Sequence, residues 1–222
     1  MKKTFKILNV AAVFAAALAY ILYRDGMVSK GVASLGFVLI GLINLLYAVK
    51  AKAPSLKFPI LLATGLLFCM IGDVAIDIQF ILGALLFAIG HVFYFVSYCS
   101  LSKFKGKDLI PIAFFFAAST LLITLVPIFD FGAPLMEGIC IVYALIISCM
   151  VGKSITNCLQ NRNAARVLLA IGSILFYFSD LMLVFDTFGG IAAAGPLCLG
   201  TYYPAQCLLA VLVYCYVNAE KQ

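Results

Sequence analysis

Gly65-Leu66-Leu67-Phe68-Cys69-Met70-Ile71-Gly72-Asp73 is an apolar run that ends on a small residue and a carboxylate. Gly172-Ser173-Ile174-Leu175-Phe176-Tyr177-Phe178-Ser179-Asp180 repeats the arrangement. Each places an ionisable group inside a stretch whose composition belongs in hydrocarbon. On insertion scales that costs at least about 2.5 kcal/mol, so such residues persist where they face a polar interior and perform a task. The two aspartates are therefore read as parts of a functional site inside a membrane protein.

The sequence around them supports that setting. Hydrophobic residues make up 65% of the 222 and charged residues 11%, and mean hydropathy is +1.16. A water-soluble domain is nearer half apolar and a quarter charged, and only a lipid-facing exterior removes the need for a polar coat.

Crossing hydrocarbon takes about 20 apolar residues per helix. Charged and turn-forming clusters divide the chain into eight such stretches: Phe5 to Tyr23, Val28 to Val49, Leu56 to Asp77, Phe80 to Leu101, Leu109 to Phe129, Leu135 to Val151, Ala164 to Phe185 and Ile191 to Val217. The joints carry Arg24-Asp25-Gly26, Lys50 to Pro54, Ile78-Gln79, Lys103 to Lys107, Asp130 to Pro134, Lys153 to Arg162 and Asp186 to Gly190, the charges and breakers that end helices. The expected fold is an all-α, polytopic integral membrane protein with eight transmembrane helices in one domain. Lys2, Lys3 and Lys6 precede an apolar run in the manner of a signal peptide; the run is read as the first span.

With the N-terminus inside, all of the 15 Lys and Arg except Arg24 and Lys30 fall on the cytoplasmic side, as the positive-inside rule requires. Of the acids, Asp25, Asp73, Asp77, Asp130, Glu137, Asp180 and Asp186 lie toward the outer ends, and Asp108 and Glu220 lie inside. Both termini are expected to be cytoplasmic, in a bacterial inner (plasma) membrane. The net charge of +6 is then a topology signal and an attraction to anionic lipid. The basic residues are spread over short loops with no arginine-rich face, which argues against a nucleic-acid partner. The eight cysteines lie mostly in apolar helices without CxxC spacing and are read as small hydrophobes rather than disulfides.

Asp73 and Asp77 are one helical turn apart, with Asp73 the deeper. Asp180 follows Gly172 at the spacing by which Asp73 follows Gly65. The third and seventh spans run in the same direction, so both aspartates reach comparable depth and a shared pocket is geometrically open to them. The matched segments also raise the possibility of two parallel four-helix halves, an arrangement that transporters use as well. His91, the only histidine, lies midway along the fourth span with Phe87, Tyr94 and Tyr98 at helical spacing. Tyr202, Tyr203 and Gln206 form a polar patch in the eighth span, whereas Asn44 and Tyr143 are read as interhelical hydrogen-bonding residues.

Gly65-x6-Gly72-Asp73, Phe80-x2-Gly83-x3-Phe87-x3-His91-x2-Tyr94, Phe176-x2-Ser179-Asp180 and Tyr202-Tyr203-x2-Gln206, in that order, resemble the YhhN-like family of membrane lysoplasmalogenases from the third span onward. That family has eight transmembrane helices. The resemblance implies hydrolysis of the vinyl ether bond of lysoplasmalogen to a fatty aldehyde and glycerophosphoethanolamine or glycerophosphocholine, without a cofactor. The implied partners are a lysophospholipid substrate and the surrounding membrane lipids. Cleaving a vinyl ether requires protonation of its β-carbon and capture of the resulting oxocarbenium ion by water. Paired carboxyl groups divide such work when their surroundings differ.

Asp73 and Asp180 are accordingly expected as acid and base in an unassigned order, with His91 positioning water or relaying protons. Asp77, Tyr94, Ser179, Tyr202, Tyr203 and Gln206 are expected to bind substrate. Two alternatives stand beside this one. A zinc-dependent lipid hydrolase would use His91 and the aspartates, although one histidine with dispersed aspartates is a poor ligand set. A proton-coupled lipid transporter would titrate the aspartates during alternating access.

Overall fold

The computed structural model describes residues 1–22 and 26–219. The expected end of the first span at Tyr23, the loop charges Arg24 and Asp25, and the tail charges Glu220 and Lys221 lie outside the described residues. Among those described, the chain forms eight α-helices and no strand: α1 (Lys2–Ile21), α2 (Met27–Lys50), α3 (Lys57–Ala75), α4 (Phe80–Leu101), α5 (Leu109–Leu125), α6 (Pro134–Gln160), α7 (Ala164–Thr187) and α8 (Ala194–Ala219). A 3-10 turn at Gly106–Asp108 leads into α5. With that turn counted in α5, all eight are long and apolar enough to cross a membrane, and the chain is an integral membrane protein of the all-α class.

Helix ends follow local chemistry. Pro134 opens α6, where its missing N–H costs nothing, and the Asn163 side chain caps α7 by accepting a bond from the Arg166 backbone N–H at 2.9 Å. Two spans depart furthest from the sequence reading at their C-terminal ends. α5 ends at Leu125 rather than Phe129, because Val126 precedes Pro127 and is held extended at φ −86°, ψ 113°. α6 runs on to Gln160, through residues assigned above to a loop. Its charged and polar groups find partners inside the bundle: the Lys153 ammonium donates to Asp108 Oδ2 at 2.8 Å and to the Lys103 carbonyl at 3.1 Å, and Asn157 Nδ2 donates to the Tyr98 carbonyl at 2.9 Å.

Helices α2, α3, α4, α6, α7 and α8 pack in that order into a ring that closes where α8 returns onto α2. α1 lies outside against α2, and α5 outside against α6. Without hydrophobic drive between helices in lipid, close approach depends on small residues. The two opening motifs supply them. A Cβ on Gly65 would stand 2.5 Å from the Tyr94 ring and 3.1 Å from the Gly90 carbonyl of α4. A Cβ on Gly172 would stand 2.9 Å from Leu209 and 3.3 Å from the Ala205 carbonyl of α8. The glycines therefore set the tight α3/α4 and α7/α8 pairs, and the aspartates project from the same helices further along. Asn44 fastens the other side of the ring: its amide donates to Asn9 Oδ1 at 2.6 Å and to the Ala210 carbonyl at 3.0 Å, which matches the interhelical role expected for it.

Candidate functional site

Asp73 is 5% exposed. Its Oδ2 accepts hydrogen bonds from the Ser34 hydroxyl of α2 and from the Tyr202 hydroxyl of α8, the latter at 2.8 Å. One turn from Ser34, the Lys30 ammonium pairs with Asp77, which sits in the turn just beyond α3. The α2/α3 seam thus carries two polar rungs, the outer one ionic and half-open, the inner one buried.

Asp180 has a second, separate set of partners. Its Oδ2 accepts from the Tyr143 hydroxyl of α6 at 2.7 Å and lies 3.1 Å from His91 Nε2 of α4. His91 Nε2 is also 2.8 Å from the Tyr143 oxygen. With the Tyr143 hydroxyl donating to Asp180, a proton on Nε2 satisfies both of its contacts in this triangle. In the neutral ring Nδ1 is then the unprotonated nitrogen. Nδ1 is buried and has no hydrogen-bond partner among the described residues.

The two carboxylates do not share a hydrogen-bonding partner among the described residues. The Phe176 ring stands between their sets, with its centroid 4.6 Å from the His91 ring and 5.3 Å from the Tyr202 ring. Phe87 closes the wall, edge-on to both Phe176 at 6.5 Å and Tyr202 at 5.9 Å. Each aspartate is held in the same way: one donor comes from the helix preceding it in the chain, α2 or α6, and the other from a helix of the opposite half of the ring, α8 or α4.

The remaining expected residues distribute around this centre. Tyr94 donates to Gln206 Oε1 at 2.7 Å, and the Gln206 amide nitrogen is buried without a partner among the described residues. Buried polar atoms of that kind call for water or a bound polar group. The Tyr203 ring packs against both the Tyr202 ring at 5.1 Å and Tyr20 of α1 at 5.0 Å. Ser179 faces α8, its Oγ 3.4 Å from Cys198 Sγ, so it does not accompany its neighbour Asp180 toward His91.

Three residues that meet the aspartates or rim them were absent from the sequence-derived site. Ser34 and Tyr143 donate to the two carboxylates, and Lys30 pairs with Asp77. Tyr143 is bonded to Asp180 and His91 rather than serving as a plain interhelical clip. The available signal was weak: Lys30 is one of the two basic residues on the otherwise acidic side, and Ser34 follows it by one turn. Among the described residues no three His, Cys, Asp or Glu side chains gather as a metal-holding set.

A family model described as the YhhN family matches residues 33–213, the stretch from just before Ser34 to well past Gln206. No curated protein and no solved structure matches the chain.

Proposed function

The chain belongs to the YhhN family, and from that premise we propose that it is a lysoplasmalogenase-type ether hydrolase working by acid and base side chains within the membrane. The observation that carries this reading is the Asp180–His91–Tyr143 triangle, with His91 Nδ1 buried and left without a partner. An imidazole whose Nε2–H is oriented by a carboxylate presents its other nitrogen as a base, the division of roles found in hydrolytic triads.

In the proposed reaction Asp73 is the acid. Both hydroxyls converge on Oδ2, which acts as the carbonyl oxygen of a carboxylic acid, and the proton is carried on Oδ1. That proton passes to the β-carbon of the vinyl ether; the C=C π pair forms the new C–H bond and leaves an oxocarbenium ion at the α-carbon. Water adds to the α-carbon and gives up a proton to His91 Nδ1, forming a hemiacetal. Collapse breaks the bond from the α-carbon to the glycerol oxygen. The hemiacetal hydroxyl gives its proton back to Asp73 as the aldehyde leaves, the glycerol oxygen takes the proton held on His91 Nδ1, and one water has been consumed. Tyr94 and Gln206 line the polar side of the reacting group.

Hydrolysis in D2O tests this directly. The aldehyde should carry a single deuterium on the carbon beside its carbonyl, and Asp73→Asn and His91→Gln should each lower turnover by about 10² to 10⁴, the range for general acid or base catalysis. Near-native turnover in either variant, or inhibition by chelators that added zinc reverses, would overturn the assignment.

A further inference from the structure

A groove of about 580 Å3 runs between α4 and α6 on the outer face of the ring. Its walls are Ala84, Leu85 and Ala88 of α4 and Gly138, Val142 and Tyr143 of α6. Leu85 is 56% exposed and Val142 60%, so in a membrane the groove opens sideways to hydrocarbon. Small residues carve it: a Cβ on Gly138 would meet nothing within 4 Å, and Ala84 and Ala88 keep the facing wall low.

Two features connect this groove to the chemistry. Tyr143, whose hydroxyl bonds Asp180 and lies 2.8 Å from His91 Nε2, forms part of its floor. A narrow recess of about 50 Å3 behind it shares Ala84 and Tyr143 with the groove and reaches inward to Phe87, the ring in edge contact with Phe176 and Tyr202. Grooves of similar size along α1 and between α5 and α6 touch none of the site residues.

The dimensions indicate the occupant. On α6 the groove extends from Pro134 to Ile146, roughly 18 Å at 1.5 Å per residue. One leaflet of a bilayer is about 15 Å of hydrocarbon. A lining that is apolar except for the Tyr143 hydroxyl, about one leaflet long and beside a recess of about 50 Å3, too small for a helix, fits a single lipid chain.

We propose that the α4/α6 groove is the lateral port in which the hydrocarbon chain of a single-chain lipid lies, its functionalised end at Tyr143. This rests on the hydrolase reading for what happens at that end. In lipid the chain exchanges one hydrocarbon surrounding for another, so the groove contributes by alignment rather than by hydrophobic affinity. Misalignment of a reacting bond by about 1 Å can cost 10²-fold in rate.

The test uses the purified full chain and a lysophosphatidylethanolamine with a diazirine in the middle of its chain. Illumination should label α4 and α6 at the groove, and Gly138→Phe should reduce that label while Leu159→Phe, in the α5/α6 groove, leaves it unchanged. With lysoplasmalogen, Gly138→Phe should lower kcat/KM by about tenfold or more for long chains and much less for a chain cut short of the blockage. Labelling elsewhere, an unaltered pattern in Gly138→Phe, or crosslinking of two Gly138→Cys copies face to face would overturn the proposal, the last by assigning the groove to a second copy of the chain. The hydrolase reading fails separately: groove labelling with no aldehyde from any substrate keeps the port and removes the reaction, whereas aldehyde release with label elsewhere does the reverse.

Discussion

At the scale of single residues, the informative contrast is between two tyrosines, Tyr202 and Tyr143, that each donate to an aspartate. Tyr202 shares Asp73 with Ser34, so Asp73 keeps a second donor if Tyr202 is lost. Tyr143 also fixes which nitrogen of His91 is free, because its proton goes to Asp180. Tyr143→Phe should therefore lower kcat by about tenfold or more while the protein still folds, since one interhelical hydrogen bond in a membrane is worth only about 0.6 to 2 kcal/mol. Ser34→Ala should have the smaller effect on kcat. Steady-state kinetics with a thermal melt on each variant measures both. Equal losses in the two would mean that the hydroxyls serve packing alone.

At the scale of helices, the motif glycines and the groove glycine make opposite predictions. Gly65 has no room for a side chain beside Tyr94 and the Gly90 carbonyl, whereas Gly138 faces open space. Gly65→Leu should destabilise the folded protein by about 1 to 3 kcal/mol, the usual cost of overpacking, and Gly138→Leu should leave the melting temperature in place. Much at this scale was legible in the sequence. Eight apolar runs separated by charges give eight helices because each backbone must satisfy its own hydrogen bonds in lipid. The last turns of α6 were not legible, because Lys153 reads as a loop residue until Asp108 is seen 2.8 Å from it. The donors Ser34 and Tyr143 were hidden for a similar reason: a hydroxyl in an apolar helix has no pattern that names its partner.

At the scale of the whole molecule, the ring maps onto itself when each helix is exchanged with the one four places on: α2 with α6, α3 with α7, α4 with α8. The donors follow the same exchange, Ser34 with Tyr143 and Tyr202 with His91. This pattern supports our proposal that the chain comprises two parallel four-helix halves, each contributing one aspartate, with the single histidine making the second centre chemically distinct from the first. From the even number of crossings and the basic residues gathered at one end, we propose that both termini are cytoplasmic. Reporter fusions at both termini should give cytoplasmic signals, and a cysteine introduced at Gly132, between α5 and α6, should react with an impermeant reagent from outside. An outward C-terminus would contradict that topology.

We propose that this ring of helices performs chemistry on a vinyl ether rather than moving a lipid across the membrane. That proposal is tested most directly by turnover in detergent, where two compartments no longer exist. Purified protein given lysoplasmalogen should release fatty aldehyde and the glycerophospho head group in equal amounts, and should leave the ester-linked counterpart intact, because an ester offers no β-carbon for Asp73 to protonate. No aldehyde release from well-folded protein, or cleavage of the ester in place of the vinyl ether, would contradict the account.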